Sequence, residues 1–388
     1  MISTLLTMVL YAAVYTAATL VFRAADCTKC TRRKKIILAC GVVFLAVFAC
    51  LRDISVGTDT ADTISLYFTD QYGRSVELGG IKGLLTGDIL YYVIANVLHL
   101  LHLGPRAFLF VMETLILTPM VISAYLKRES VPIHITMLLF TLLYYQLSFN
   151  WIRQSIASAF IFLALVCAQE KRPKSAAVAA IVAVLAHSSA VIGLALLLFV
   201  YAFTRIKDRK RRMIVEITCL LVFTVLLSQW KRIFMLGIST GVFPERYAGY
   251  LRVFSGETTV EGWFRVGKKM YLELFIRVLL VLTPFFLLKR QATEDEKRHA
   301  VFTRMVGVIV LVIYSFILVA MHTTYGNRLT YAIEYAQFLS LGMCYSQFPA
   351  QRGTVLVRNL WVIGLALLYH LWIYYILGWH GTVPFVFG

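Results

Sequence analysis

The sequence predicts an all-α, polytopic membrane protein, and three observations carry that prediction. Of 388 residues, 60% are hydrophobic and only 15% are charged, whereas a soluble domain carries about 25% charged residues. Apolar runs of roughly 17–25 residues recur along the whole chain, each long enough to cross a ~30 Å hydrocarbon core as a helix. The runs do not alternate polar and apolar positions, as the roughly ten-residue strands of a membrane barrel would. The mean hydropathy of +0.76 agrees. Summed along the chain, the runs predict one membrane domain over 1–388 with roughly 11–13 transmembrane helices.

The elements follow in order. Residues 2–22 lack the basic start of a signal peptide and exceed its usual apolar length, so they read as a retained first span with an outward N-terminus. The basic loop 23–35 ("RAADCTKCTRRKK") is then cytoplasmic by the positive-inside rule. A second span, 36–51, exits outward into a large loop, 52–87. There Ile64, Tyr67, Phe68 and Tyr72 recur at helical spacing, which predicts a short amphipathic helix along the membrane face. The segments 88–103, 107–126, 133–150, 152–169 and 175–203 come next, and they allow two topologies. Five plain crossings would leave Lys171, Arg172 and Lys174 outside. A break of 175–203 at His187 would put them inside, with Arg153 and His187 outside, provided that one upstream segment fails to cross. The charge rule favours the second arrangement. The loop 205–212 ("RIKDRKRR") is inside, 213–236 leads outward, and 237–269 is a second large outer loop. Spans 270–288 and 301–321 flank an inner loop at 289–299. Residues 322–328 are outer, 329–347 crosses again, 350–358 is inner, and 359–378 delivers 379–388 to the outside.

The charge distribution limits the function classes. A net charge of +18 could suit nucleic acid, but the lysines and arginines sit in short loops between spans, near anionic lipid heads. No stretch interleaves basic and aromatic residues on a soluble surface, so no nucleic-acid partner is expected. Cys27 and Cys30 have CxxC spacing without a second pair or a nearby histidine, which is weak grounds for zinc or redox chemistry.

The residues with chemical potential gather at the outer ends of the spans. In "LRDISVGTDTADTISLYF" (51–68), Asp59 or Thr60 can cap a helix and Asp62 can sit in its first turn. Four outer helix ends carry an arginine, namely Arg52, Arg153, Arg246 and Arg328, against the statistical bias of that face. Each could snorkel to lipid phosphate. Taken together they suit a bound polyanion, because the guanidinium stays charged and donates bidentate bonds. His187, flanked by serines inside an apolar run, reads either as a packing histidine at a helix break or as a base with a pKa near neutrality. His322 carries the same ambiguity.

With these landmarks the chain resembles the EpsG family of bacterial exopolysaccharide polymerases, related to the Wzy-type polymerases of O-antigen and capsule. The resemblance lies in "LRDISVGTDTADTISLYF", "FNWIRQSIASAFIFLAL", "AVLAHSSAVIGLALLL", "NRLTYAIEYAQFL" and "WHGTVPFVF", in family order. It implies a fold similar to GT-C glycosyltransferases and an active site facing the outside of the bacterial plasma (inner) membrane. The implied donor is a glycan on undecaprenyl diphosphate, transferred to the hydroxyl of another lipid-linked repeat unit. On that reading His187 and Asp59 are the catalytic candidates, and Arg52, Arg153, Arg328 and Arg246 are candidates for holding the diphosphate. Asp53, Thr58, Gln154, His322 and Tyr331 are further substrate-binding candidates. No metal or other cofactor is expected, since arginines can do a cation's work. Expected partners are the lipid-linked glycans, membrane lipids, and the flippase and chain-length regulator of the same pathway. Three alternatives remain: an O-antigen ligase-like transferase using the same donor, a lipid-linked sugar flippase or other transporter, and a non-catalytic assembly partner in an exopolysaccharide complex. A transporter would be expected to show midplane charges or an internal repeat.

Overall fold

The computed structural model describes residues 2–61, 89–187, 189–203, 206, 208–240, 272–273, 275–280, 283, 335, 357 and 359–388. Nearly all of these are helical, and no strand occurs among them, only an isolated antiparallel bridge between Arg52 and Phe387. This is the form a lipid-embedded chain requires, because a helix satisfies every backbone polar group within one segment. The helices are α1 (Ile2–Cys27), α2 (Thr31–Cys50), α3 (Ile89–Leu100), α4 (Pro105–Leu126), α5 (133–150), α6 (Ile152–Gln169), α7 (Pro173–Ala186), α8 (Ala190–Phe203), α9 (Arg209–Ser228), α10 (Trp230–Ser239) and α11 (Asn359–Ile376). Among the described residues α1, α4, α6 and α11 are long and apolar enough to cross a membrane.

One end of the bundle is tied by charge. Asp26, near the end of α1, accepts hydrogen bonds from the backbone N–H groups of Ile133 and His134 at 3.2 and 3.0 Å, and its carboxylate meets His134 Nδ1 at 2.7 Å. These N–H groups open α5 and have no partner inside their own helix, so Asp26 caps α5 from another element. Lys127 Nζ reaches Glu170 Oε1 at 2.6 Å and joins the ends of α4 and α6. Residues 170–174 therefore lie at the same end as the basic loop 23–35, as the charge rule leads one to expect.

The break at His187 that the second topology calls for is present. The apolar run 175–203 is interrupted at His187, which is extended (φ −163°, ψ 138°), leaving two helices of 14 residues. In the upstream segment 88–103 the described helix is α3, whose 12 residues span about 18 Å. Small residues set the closest packing. Ala179 of α7 lies against Ala164 and Cys167 of α6, and such side chains let helix backbones approach. The expected span 213–236 is two helices, α9 and α10, meeting at Gln229.

α5 contains a π-helical turn, Thr141–Tyr145. It presents the carbonyls of Leu142 and Leu143 to α11. There His370 Nδ1–H donates to Leu142 at 2.8 Å, and the Tyr374 hydroxyl donates to Leu143 at 3.1 Å.

Several expectations lie outside the described residues: Asp62 and the amphipathic helix at 64–72, nearly all of the loop 237–269, most of the span at 270–288, the spans at 301–321 and 329–347, and Arg246, His322, Arg328 and Tyr331.

Candidate active site

At the end of the bundle opposite Asp26, three segments remote in sequence converge: 51–61 after α2, the junction of α5 and α6, and 379–388. The first segment is a series of tight turns. Asp53 Oδ1 accepts the Ser55 N–H at 2.9 Å, and this bond holds the Asp53 carboxyl below the usual carboxylate range. Gly57 follows with φ +100°, a conformation that favours glycine. A Cβ there would meet Thr60 Oγ1 at 2.4 Å and the Phe149 carbonyl oxygen at 2.9 Å, so the position also lacks room.

Segment 379–388 runs back along this turn. Gly57 N–H donates to Gly381 O at 2.9 Å, Thr58 N–H to His380 O at 3.1 Å, and Asp53 N–H to Val386 O at 2.7 Å. The segment is itself anchored to α1, where the Tyr11 hydroxyl donates to Thr382 O and Thr7 accepts the Phe385 N–H. From the third side, Asn150 at the end of α5 supplies the common partner. Its Oδ1 accepts the Thr58 hydroxyl at 2.8 Å and the Asp59 N–H at 2.6 Å, and its Nδ2 lies 3.2 Å from His380 Nδ1. Trp151 breaks the helix immediately afterwards and sets its ring edge-on to His380, with centroids 5.2 Å apart.

The candidate residues divide on this frame. Thr58 is exposed and Asp59 half-buried within the clamped turn. Arg153, half-buried, and Gln154, buried, open α6 beside it, and the Arg153 guanidinium lies 5.9 Å from the Tyr91 ring of α3. Arg52 does not share that surface. It is 2% exposed and packed into the bundle, with its guanidinium 4.3 Å from the Phe149 ring and Nη1 donating to Ala49 O at 2.6 Å. Glu113 of α4, 1% exposed, lies within electrostatic reach of it, and its carboxyl accepts the Ser148 hydroxyl at 2.9 Å. Asp53 serves its own turn.

His187 occupies a different place. α7 runs antiparallel to α6 about the turn at Lys171, so equal helical rise sets His187 opposite Ser155, close to the Arg153 end. Its ring caps the start of α8: the Ser189 N–H donates to His187 Nδ1 at 3.1 Å, and the Ser189 hydroxyl is 2.8 Å away. A backbone N–H can only donate, so Nδ1 is the acceptor and the neutral ring carries its proton on Nε2.

Three residues of this neighbourhood were not singled out by the sequence reading. Glu113 is a lone acid inside an apolar span, a feature that by itself marks a functional or structural pairing. Asn150 and His380 stand within "FNWIR" and "WHGTVPFVF", but no spacing rule joins residues 230 positions apart.

Fold and site together define an all-α polytopic membrane protein with a polar site built at one end of its bundle. The family model described as "EpsG family" matches residues 35–387, and the chain belongs to that family, which implies an exopolysaccharide polymerase-type function. Comparison with curated proteins and with solved structures found no match.

Proposed function

We propose that this protein polymerises repeat units carried on a polyprenyl diphosphate, such as undecaprenyl diphosphate, at the outer face of the bacterial plasma membrane. The observation that carries the reading is the match to the EpsG family over 35–387. The convergence of Thr58, Asp59, Asn150, Arg153 and His380 at one end of the bundle supports a single reaction centre there. An apolar cavity of about 350 Å³ between α1, α5 and α11, lined by Met8, Leu20, Leu142 and Leu367, suits part of an isoprenoid tail.

In this reaction the acceptor hydroxyl attacks the anomeric carbon of the donor. A new glycosidic bond forms, the bond from that carbon to the phosphate oxygen breaks, and the lipid diphosphate departs with the electron pair. Negative charge grows on the leaving group, so a preorganised guanidinium such as Arg153 stabilises the transition state more than the ground state. Arg246 and Arg328 are proposed to share that task. Asp59 is the proposed base, because His187 as seated offers a proton from Nε2 and uses Nδ1 as a helix cap. His187 is proposed to donate to the donor sugar or its phosphate. Cationic side chains take the place of a metal in this scheme.

The test is purified protein in lipid nanodiscs with repeat-unit lipid alone and no nucleotide sugar. Glycan ladders longer than one unit are expected. Transfer only after adding a different acceptor would indicate a ligase, and translocation without elongation would indicate a transporter.

A further inference from the structure

We propose that Asn150 is a positioning residue: its amide locks His380 in the Nε2–H tautomer and ties that ring to the Thr58–Asp59 turn, so that ring and turn are presented to substrate as one rigid unit. The proposal rests on reading this end of the bundle as the glycosyl-transfer site.

The geometry leaves little freedom. Asn150 is 5% exposed and is the last residue of α5. One of its amide atoms receives the Asp59 backbone N–H at 2.6 Å and the Thr58 hydroxyl at 2.8 Å. A backbone N–H only donates, so that atom is the oxygen and the NH₂ faces the other way. The NH₂ lies 3.2 Å from His380 Nδ1 and has no lone pair to offer. Nδ1 must therefore accept, and the neutral imidazole carries its proton on Nε2. His380 is held from other directions as well. Its carbonyl accepts the Thr58 N–H, its φ is +69°, and its ring meets Trp151 edge-on. A simple cap for the turn would need only the oxygen of Asn150. The nitrogen half of the amide does something more: it selects which ring nitrogen can give a proton. Orientation of this kind matters because misplacing a reacting group by about 1 Å can cost roughly 10²-fold in rate.

The histidines of this protein supply an internal comparison. His370 donates from Nδ1 to the Leu142 carbonyl, so its neutral ring carries the opposite tautomer.

The experiment is ¹⁵N-histidine NMR of the full-length protein in nanodiscs, with the His380 resonances assigned by their disappearance in His380→Gln. In the wild type His380 is expected in the Nε2–H form and His370 in the Nδ1–H form. Asn150→Asp keeps an acceptor for Thr58 and Asp59 but replaces the NH₂ by an oxygen. It should move the His380 proton to Nδ1, or protonate both nitrogens, and lower kcat for elongation about 10²-fold while KM for the donor stays close to wild type. If Asn150→Asp does not fold, Asn150→Ala should show His380 exchanging between tautomers. An Nδ1–H His380 in the wild type, or an unchanged His380 signal in whichever variant folds, overturns the proposal. Absence of elongation by the wild type would instead count against the glycosyl-transfer reading, and the tautomer result would still judge the role of Asn150.

Discussion

Arg52 and Glu113 are both buried inside the bundle, at 2% and 1% exposure, within electrostatic reach of each other. A buried charge tolerates loss of its partner badly, whereas replacement of both by apolar groups is often harmless. Arg52→Met alone should therefore destabilise the protein by about 3–5 kcal/mol. Arg52→Met with Glu113→Leu should recover most of that, measured by thermal unfolding in detergent. If the double variant also elongates glycan at the wild-type rate per folded molecule, Arg52 serves the fold and not the diphosphate. Asp59 and His187 separate in the same assay. Asp59→Asn removes the proposed base and should lower the chemical rate by about 10²–10⁴ with the protein still folded. His187→Gln retains a side chain able to accept the Ser189 N–H and to donate in place of Nε2–H, so it should lose much less. A dead His187→Gln beside an active Asp59→Asn would reverse the two roles. Asp53 is the control, since Asp53→Asn keeps the oxygen that accepts Ser55 N–H and should change little.

At the scale of elements, the widened turn Thr141–Tyr145 is what lets α11 dock on α5. Its carbonyls at Leu142 and Leu143 are satisfied by side chains of α11, His370 and Tyr374, both buried. π-turns are frequent at functional sites, and here the turn holds together α5, which ends at Asn150, and α11, which leads into the segment that carries His380. Tyr374→Phe removes one hydroxyl from a buried contact and leaves the Leu143 carbonyl without that donor. A loss of about 1–3 kcal/mol in stability is expected, read as a lowered Tm. An unchanged Tm would mean that the interface relaxes to satisfy Leu143 by another route.

The whole molecule is polarised between its two ends. One end gathers Asp26, His134, Lys127, Glu170 and the basic residues of 23–35 and 170–174. The other gathers the 51–61 turn, Asn150 and segment 379–388. If the first end is cytoplasmic, Cys27 and Cys30, both exposed, should react with a membrane-impermeant thiol reagent only after the cytoplasmic side is opened. A cysteine at the exposed Thr58, in a variant without the native cysteines, should react from outside intact cells. The opposite labelling pattern would invert the protein and remove the proposed site from the outer face.

Much of this was legible in the sequence because hydrophobicity and charge bias act locally. The 60% apolar composition, the long runs and the arginine- and lysine-rich loops determine an all-α membrane protein by themselves. The same charge bias at Lys171, Arg172 and Lys174 foretold the helix break at His187, which α7 and α8 show. What the pattern could not supply was partnership at long range. Arg52 looks like an interfacial arginine in one dimension, and only the folded chain shows it buried against the Phe149 ring and the Ala49 carbonyl. His187 reads in the sequence as a packing histidine or a base, and only the fold sets the Ser189 N–H on its Nδ1. Asn150 and His380 stand in family landmarks, but nothing in a linear reading joins them, because hydrogen-bond geometry between residues 230 apart is decided by how the chain packs, and packing is a property of the folded chain alone.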